Sequence, residues 1–89
     1  MRHASSFAPA LKVERLKKGL SQAELAAKID RDGSMIARLE NGSRVPSREF
    51  ALELADALEL TGWERIAFLA EAGFAETEAV LAVINRLKR

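Results

Sequence analysis

Apolar residues in this chain recur at intervals of three and four along most of its length, and nowhere do they alternate long enough to line one face of a strand. Such intervals return side chains to the same side of an α-helix, so the sequence specifies an all-α fold. The pattern is cut at Gly19, at Asn41-Gly42, at Gly62 and at Gly73, so the helices must be short. Short helices are marginal in water alone and persist only when they bury a face against neighbours. A chain of 89 residues, 48% of them hydrophobic, builds a single core around which those helices must pack.

The first helix is expected to open near Pro9, with Ser5 or Ser6 as its cap, after a flexible tail over residues 1–7. Ala8, Leu11, Val13 and Leu16 would form its buried stripe, and Gly19 its end. Ser21 followed three residues later by Glu24 is a capping box, opening a second helix through about Lys28 with Leu25, Ala26 and Ile29 inward. After a polar break, Asp32 caps a third helix whose inward residues are Met35, Ile36 and Leu39. Asn41-Gly42 then stops it by offering positive φ. Pro46-Ser47 leads into a fourth helix with Phe50, Leu54, Ala55 and Leu58 on one face. Gly62 separates this from a fifth, which carries Trp63, Ile66, Ala67, Leu69 and Ala70 and ends at Gly73. Helical apolar spacing makes Trp63 and Phe68 core residues or partly exposed helix residues, not stacking platforms. The domain is read as residues 8–73, followed by a C-terminal element, residues 74–89, in which Val80, Val83, Ile84 and Leu87 share a stripe. That stripe either caps the bundle or forms a symmetric dimer contact, and the dimer is preferred because five helices can already close a core.

The chain contains no cysteine, no apolar run that spans a bilayer and no signal-peptide pattern at its start, so a soluble, cytoplasmic protein is expected. The net charge of +1 conceals an asymmetry. From Leu11 to Arg48 nine basic residues face five acidic ones. From Glu49 to Val83 eight acids accompany a single base, Arg65. A basic half of this kind can meet phosphates while the acidic half faces solvent or a protein partner, although solvated helix surfaces produce the same pattern.

Between Ser21 and Asn41 two short helices are separated by a turn of about three residues, each dependent on packing for its stability. In such a pair the first helix crosses behind the second, whose N-terminal turn and outer face are then free to enter a DNA major groove. Ala26 permits close approach, Ile36 and Leu39 anchor the second helix, and Gly33, Ser34, Ala37 and Arg38 are left outside.

Gly19-Leu20-Ser21-Gln22-Ala23-Glu24-Leu25-Ala26, Ile36-Ala37-Arg38-Leu39-Glu40-Asn41-Gly42 and Pro46-Ser47 together resemble the Cro-type (XRE) phage-repressor-like helix-turn-helix family, over Leu11 to about Leu60. The resemblance implies a compact five-helix, lambda-repressor-like DNA-binding domain, here with an additional C-terminal helix. It also implies a transcriptional repressor that binds near-palindromic double-stranded DNA as a homodimer. Carried onto this sequence, it makes Gln22 a phosphate contact and sets Ser34 and Arg38 against base edges. Asn41, the backbone after Gly42, Ser43 and Arg44 then contact the DNA backbone. Arg15 and Glu40 become a structural ion pair tying the first helix to the end of the recognition helix.

The residues themselves are compatible with these roles. Ser21, Gln22 and Ser34 stand at helix N-termini, where amides and dipole favour phosphate. Arg38 can read guanine through O6 and N7. Arg44 and Arg48, in a loop and at a helix start, suit phosphate clamping. Three positions depart from the family pattern. Asp30 stands where glycine is usual, Arg31 where an apolar residue is usual, and Gly33 where a long polar side chain usually reads a base. Base readout therefore falls to Ser34, Met35, Ala37 and Arg38, with Met35 and Ala37 able to meet a thymine methyl.

No catalytic constellation is apparent, and the one histidine, His3, has no partners for a metal or acid–base site. Neither an enzyme nor a cofactor is expected. The second reading is a protein-interaction module, such as an antitoxin or a complex subunit, using the same fold.

Overall fold

In the computed structural model, described here for residues 3–74 with side chains from Phe7 onward, five α-helices follow one another: α1 (His3–Lys17), α2 (Gln22–Lys28), α3 (Gly33–Glu40), α4 (Arg48–Ala57) and α5 (Gly62–Glu71). No strand occurs among the described residues. Helix α1 packs on α3 and α5, α2 packs on α3, and α4 packs on α5.

One device ends all five helices. The backbone N–H three residues past the last helical residue reaches back to a carbonyl in the final turn: Leu20 to Arg15, Arg31 to Ala26, Ser43 to Arg38, Leu60 to Ala55 and Phe74 to Leu69. This closure requires a left-handed residue between helix and donor. The five are Gly19, Asp30, Gly42, Glu59 and Gly73, all with positive φ. Gly62, expected to divide α4 from α5, is instead the first residue of α5; Glu59 makes the reversal, and Gly62 also has positive φ. Within the α1 and α4 closures the donor residue is apolar, so Leu20 and Leu60 fold back towards the core, Leu60 to 1% exposure.

The core gathers Phe7, Leu11, Leu25, Ala26, Ile36, Leu39, Phe50, Ala51, Leu54, Ala55, Leu58, Leu60, Phe68, Leu69 and Ala72. Phe7, placed in the tail by the sequence reading, is buried and lies on the ring of Phe68 with centroids 5.1 Å apart, joining α1 to α5. Helix α1 consequently reaches back to His3 and carries Pro9 in its interior, not at its opening. Neither Ser5 nor Ser6 precedes the helix. An interior proline costs about 3 kcal/mol, and burying a phenylalanine returns about 1.5–3 kcal/mol, so the Phe7 contact offsets much of the irregularity.

Two further expectations are corrected. Val13 and Leu16 do not belong to the buried stripe of α1; they are exposed. Phe7, Ala8, Leu11 and Arg15 set the buried face, and at helical pitch Val13 and Leu16 fall on the other side. Trp63 is not a core residue: it is 83% exposed, on the side of α5 opposite Phe68, Leu69 and Ala72. The stripe Val80, Val83, Ile84 and Leu87 lies outside the described residues.

Candidate nucleic-acid interface

The geometry of the α2–turn–α3 unit follows from its caps. Ser21 Oγ accepts from the Glu24 amide at 3.0 Å and Glu24 Oε1 accepts from the Ser21 amide at 2.8 Å, so two orphan amides of α2 are satisfied reciprocally. At the other end Asp30 takes φ 59, allowing Asp30 N–H to reach Ala27 O and Arg31 N–H to reach Ala26 O. Aspartate tolerates this conformation better than most residues. Helix α3 begins at once. Asp32 stands at its N-cap, but its side chain makes no capping hydrogen bond, contrary to its expected role.

Arg31 is drawn away from the α3 surface by α4. Its guanidinium lies 5.2 Å over the Phe50 ring and 3.4 Å from Glu53. The cation thereby covers the face of a core aromatic, which is how a charged residue occupies a place where an apolar one is usual.

Helix α3 is fastened from behind. Ile36 and Leu39 are fully buried, and Met35 is half-buried against the core. That packing makes Met35 chiefly an inward residue, as its helical position predicts, more than a group free to meet a base. Ser34 and Arg38 are exposed, and Gly33 and Ala37 are half-buried. A Cβ built on Gly33 would meet Ala23 Cα at 3.5 Å, an ordinary contact, so the glycine is not demanded by the α2–α3 approach.

The end of α3 is held by a polar network. Arg15 Nε donates to Glu40 Oε2 at 2.6 Å and Nη2 to Oε1 at 3.0 Å, while Nη1 donates to the Leu20 carbonyl at 2.7 Å. Gln22 Nε2 donates to Glu40 Oε1 at 3.0 Å. The two charged side chains are 8% and 5% exposed. Burial alone pushes the Glu40 carboxyl upward, but the hydrogen bonds from Arg15 and Gln22 and the charges of Arg15 and Lys12 outweigh it, leaving the group below its ordinary value. The hydrogen bond to Glu40 likewise raises Arg15, with burial opposing and the carboxylate charge reinforcing.

This network gives Gln22 a structural contact beside its expected phosphate role. Its amide is a brace between the start of α2 and the end of α3. A primary amide carries two donor hydrogens, so one can brace while the other remains available to an anion. Lys12, absent from the sequence-based site, lies close enough to act on Glu40 and adds a cation at the same corner. Its position one helical turn before Arg15 is the signal that would have found it.

Past α3, Asn41 Oδ1 accepts from the Ser43 amide at 2.9 Å and from the Ser43 hydroxyl at 2.6 Å, a closed local turn after Gly42 at φ 83. With the Asn41 oxygen engaged by Ser43, its NH₂ is the group left to donate elsewhere. Arg44 and Arg48 are exposed, the latter at the first position of α4, which Ser47 caps by accepting from Phe50 N–H at 3.1 Å. Polar groups thus run from exposed Ser21 and half-buried Gln22 past Ser34 and Arg38 to Asn41, Arg44 and Arg48, all five exposed.

Among the described residues no cluster of potential metal ligands occurs, and no helix is long and apolar enough to cross a membrane. An open groove on the α2–α4 side is lined by Lys28, Ile29, Glu53, Asp56 and Ala57.

Neither the curated proteins nor the solved structures contain a significant match to this chain. A family model described as a helix-turn-helix domain matches residues 6–68, which takes in α2, the turn and α3 together with the helices that bury them. By its capped α2, its left-handed turn, its braced α3 and that match over most of its length, the chain belongs to the helix-turn-helix domain family.

Proposed function

We propose that this protein is a sequence-specific DNA-binding transcriptional regulator, a repressor that occupies a near-palindromic operator as a dimer and acts by binding without catalysis. The observation that carries the reading is the placement of α3: its inner residues are buried, its C-terminal end is braced by Arg15 and Gln22, and Ser34 and Arg38 are presented outward between exposed donors at either end. A rigidly supported short helix with polar outer residues is what major-groove entry requires. Gln22, Asn41, Ser43, Arg44 and Arg48 are assigned to phosphates and Arg38, with Ser34 and Ala37, to base edges. Gly33 contributes no side chain, so discrimination rests mainly on Arg38.

Selection of bound duplexes from a random pool, with the mass of the complex measured in solution, tests this directly. A recovered near-palindromic site bound by two copies supports it. Absence of binding to any duplex at low salt refutes it, because the phosphate contribution should then be at its strongest.

The alternative of a protein-interaction module is favoured by one observation, the exposed acids Glu49, Glu53, Asp56 and Glu59 along α4 and its end. A pull-down returning one stable basic partner, together with absent DNA binding, would select it. The two roles can coexist in one protein.

A further inference from the structure

Asn41 and Gly42 end α3 within the surface assigned to DNA, and both are exposed. Besides stopping the helix, the pair brings together two groups that react with each other. The Asn41 carboxamide carbon is an electrophile, and the Gly42 backbone nitrogen is the nucleophile next to it in the chain. Glycine at the second position has no Cβ to hinder the approach.

The fold prepares this reaction in three ways. Asn41 Oδ1 accepts from the Ser43 amide at 2.9 Å and from the Ser43 hydroxyl at 2.6 Å, which lays the carboxamide over the Gly42 peptide and polarises its carbonyl towards the anion formed on attack. Gly42 N–H donates only to Leu39 O at 3.3 Å, beyond the ordinary range, so the nucleophile is weakly held. Ring closure also needs rotation about Asn41 ψ, now 3° at the C-cap. That rotation opens the bonds from Ser43 N–H and Arg44 N–H to Arg38 O, at 3.0 and 3.2 Å, which lie at an exposed helix end where local opening is easiest.

We infer that Asn41 is a site of spontaneous deamidation, and that its conversion switches off the DNA-facing end of α3. The Gly42 nitrogen loses its proton to solvent base and bonds to Asn41 Cγ; the Cγ–Nδ2 bond breaks and the nitrogen leaves, reprotonated, as ammonia. Water then opens the cyclic imide at either carbonyl, giving aspartate or β-linked isoaspartate. Both products set a carboxylate where the Asn41 NH₂ would meet a phosphate, beside Glu40 and at the negative end of the α3 dipole. Isoaspartate also lengthens the backbone by one carbon within the closure, which takes Ser43 and Arg44 out of register. The chemistry is independent of the DNA reading, whereas its effect on binding rests on that reading.

The full 89-residue chain, held at physiological temperature and sampled over time, is digested with trypsin, which releases Asn41 in residues 39–44. The other asparagine, Asn85, is followed by Arg86 and falls in residues 66–86. The 39–44 peptide should gain the mass of an amide-to-acid conversion several-fold ahead of Asn85, and faster in mildly alkaline than in mildly acidic buffer. Its rate should lie about 10–100-fold below that of the same segment as a synthetic peptide, because the hydrogen bonds of the closure must open first. Isomerisation at Asp32-Gly33 is mass-neutral and falls in a different peptide, so it does not interfere. Binding of the incubated chain to a mixed-sequence duplex at low salt should fall several-fold in step with conversion. Asn41→Gln, which cannot close the five-membered imide, should keep whatever affinity it starts with. Conversion at Asn41 no faster than at Asn85 overturns the site, and conversion with undiminished binding overturns the switch. Conversion in a chain that binds no duplex even when fresh upholds the modification but overturns the DNA reading, and the switch with it.

Discussion

Replacing Glu40 by alanine should be among the most damaging single substitutions in the domain, although Glu40 sits at the end of a helix of only eight residues. The change removes two hydrogen bonds from the Arg15 guanidinium, at 2.6 and 3.0 Å, and one from Gln22. Arg15, with 8% of its side chain exposed, is left charged and without its counter-ion. Hydrogen bonds to charged groups contribute about 1.5–3 kcal/mol each, and breaking a buried pair costs about 3–5 kcal/mol. A domain of this size is stable by only about 4–13 kcal/mol in all. Urea denaturation followed by far-ultraviolet circular dichroism at neutral pH should therefore show Glu40→Ala losing about 3–5 kcal/mol. Arg15→Met with Glu40→Leu should recover most of that loss, because an apolar pair leaves no charge stranded. The wild-type advantage should also depend on acid. The Glu40 carboxyl is held below its ordinary value, so its contribution is full above an unfolded-state pKa of about 4.3 and is lost as pH falls through the lower folded value. The gap between wild type and Glu40→Ala should narrow in that acidic window. A loss under about 1 kcal/mol at neutral pH, with no coupling to Arg15 in the double-mutant cycle, would show that the pair is not what holds the end of α3.

Other expectations follow from the same structure. Arg38→Ala should reduce discrimination at one base position by about 1–3 kcal/mol, measured by competition between site variants, while Arg44→Ala should weaken all sequences about equally and lower the salt slope by about 1. Ser21→Ala removes the Glu24 amide's acceptor at 3.0 Å and should cost about 1 kcal/mol in thermal or urea melts. Asp30→Val forces a β-branched residue to φ 59 and should cost about 1–2 kcal/mol, whereas Asp30→Gly should be tolerated. Gly33→Ala should fold as well as wild type or slightly better, because the added methyl meets Ala23 at ordinary contact distance; a loss above about 1 kcal/mol would show that the α2–α3 approach does need glycine.

The sequence alone determined whatever depends on neighbours along the chain. Helix spacing, the Ser21–Glu24 capping box, the Ser47 cap and the stops at Gly19, Gly42 and Gly73 are local events, governed by hydrogen bonds that reach only a few residues. Glu59 was illegible for the same physical reason. A left-handed glutamate has no compositional signature, and only the burial of Leu60 beyond it makes that turn worth its strain. The pairing of Arg15 with Glu40 was anticipated from the family resemblance, but the brace from Gln22 and the field of Lys12 required three helices to be set in place.

Tertiary structure decided which apolar residues are inside. Periodicity states that a helix has an apolar face, not which of two candidate faces meets a neighbour. Phe68 was waiting for Phe7, so α1 extended past Pro9 and turned Val13 and Leu16 to solvent. Leu69 and Ala72 claimed the core side of α5, so Trp63 was left on the other. Burial is a property of pairs of surfaces, and a pattern along one chain supplies only half of each pair.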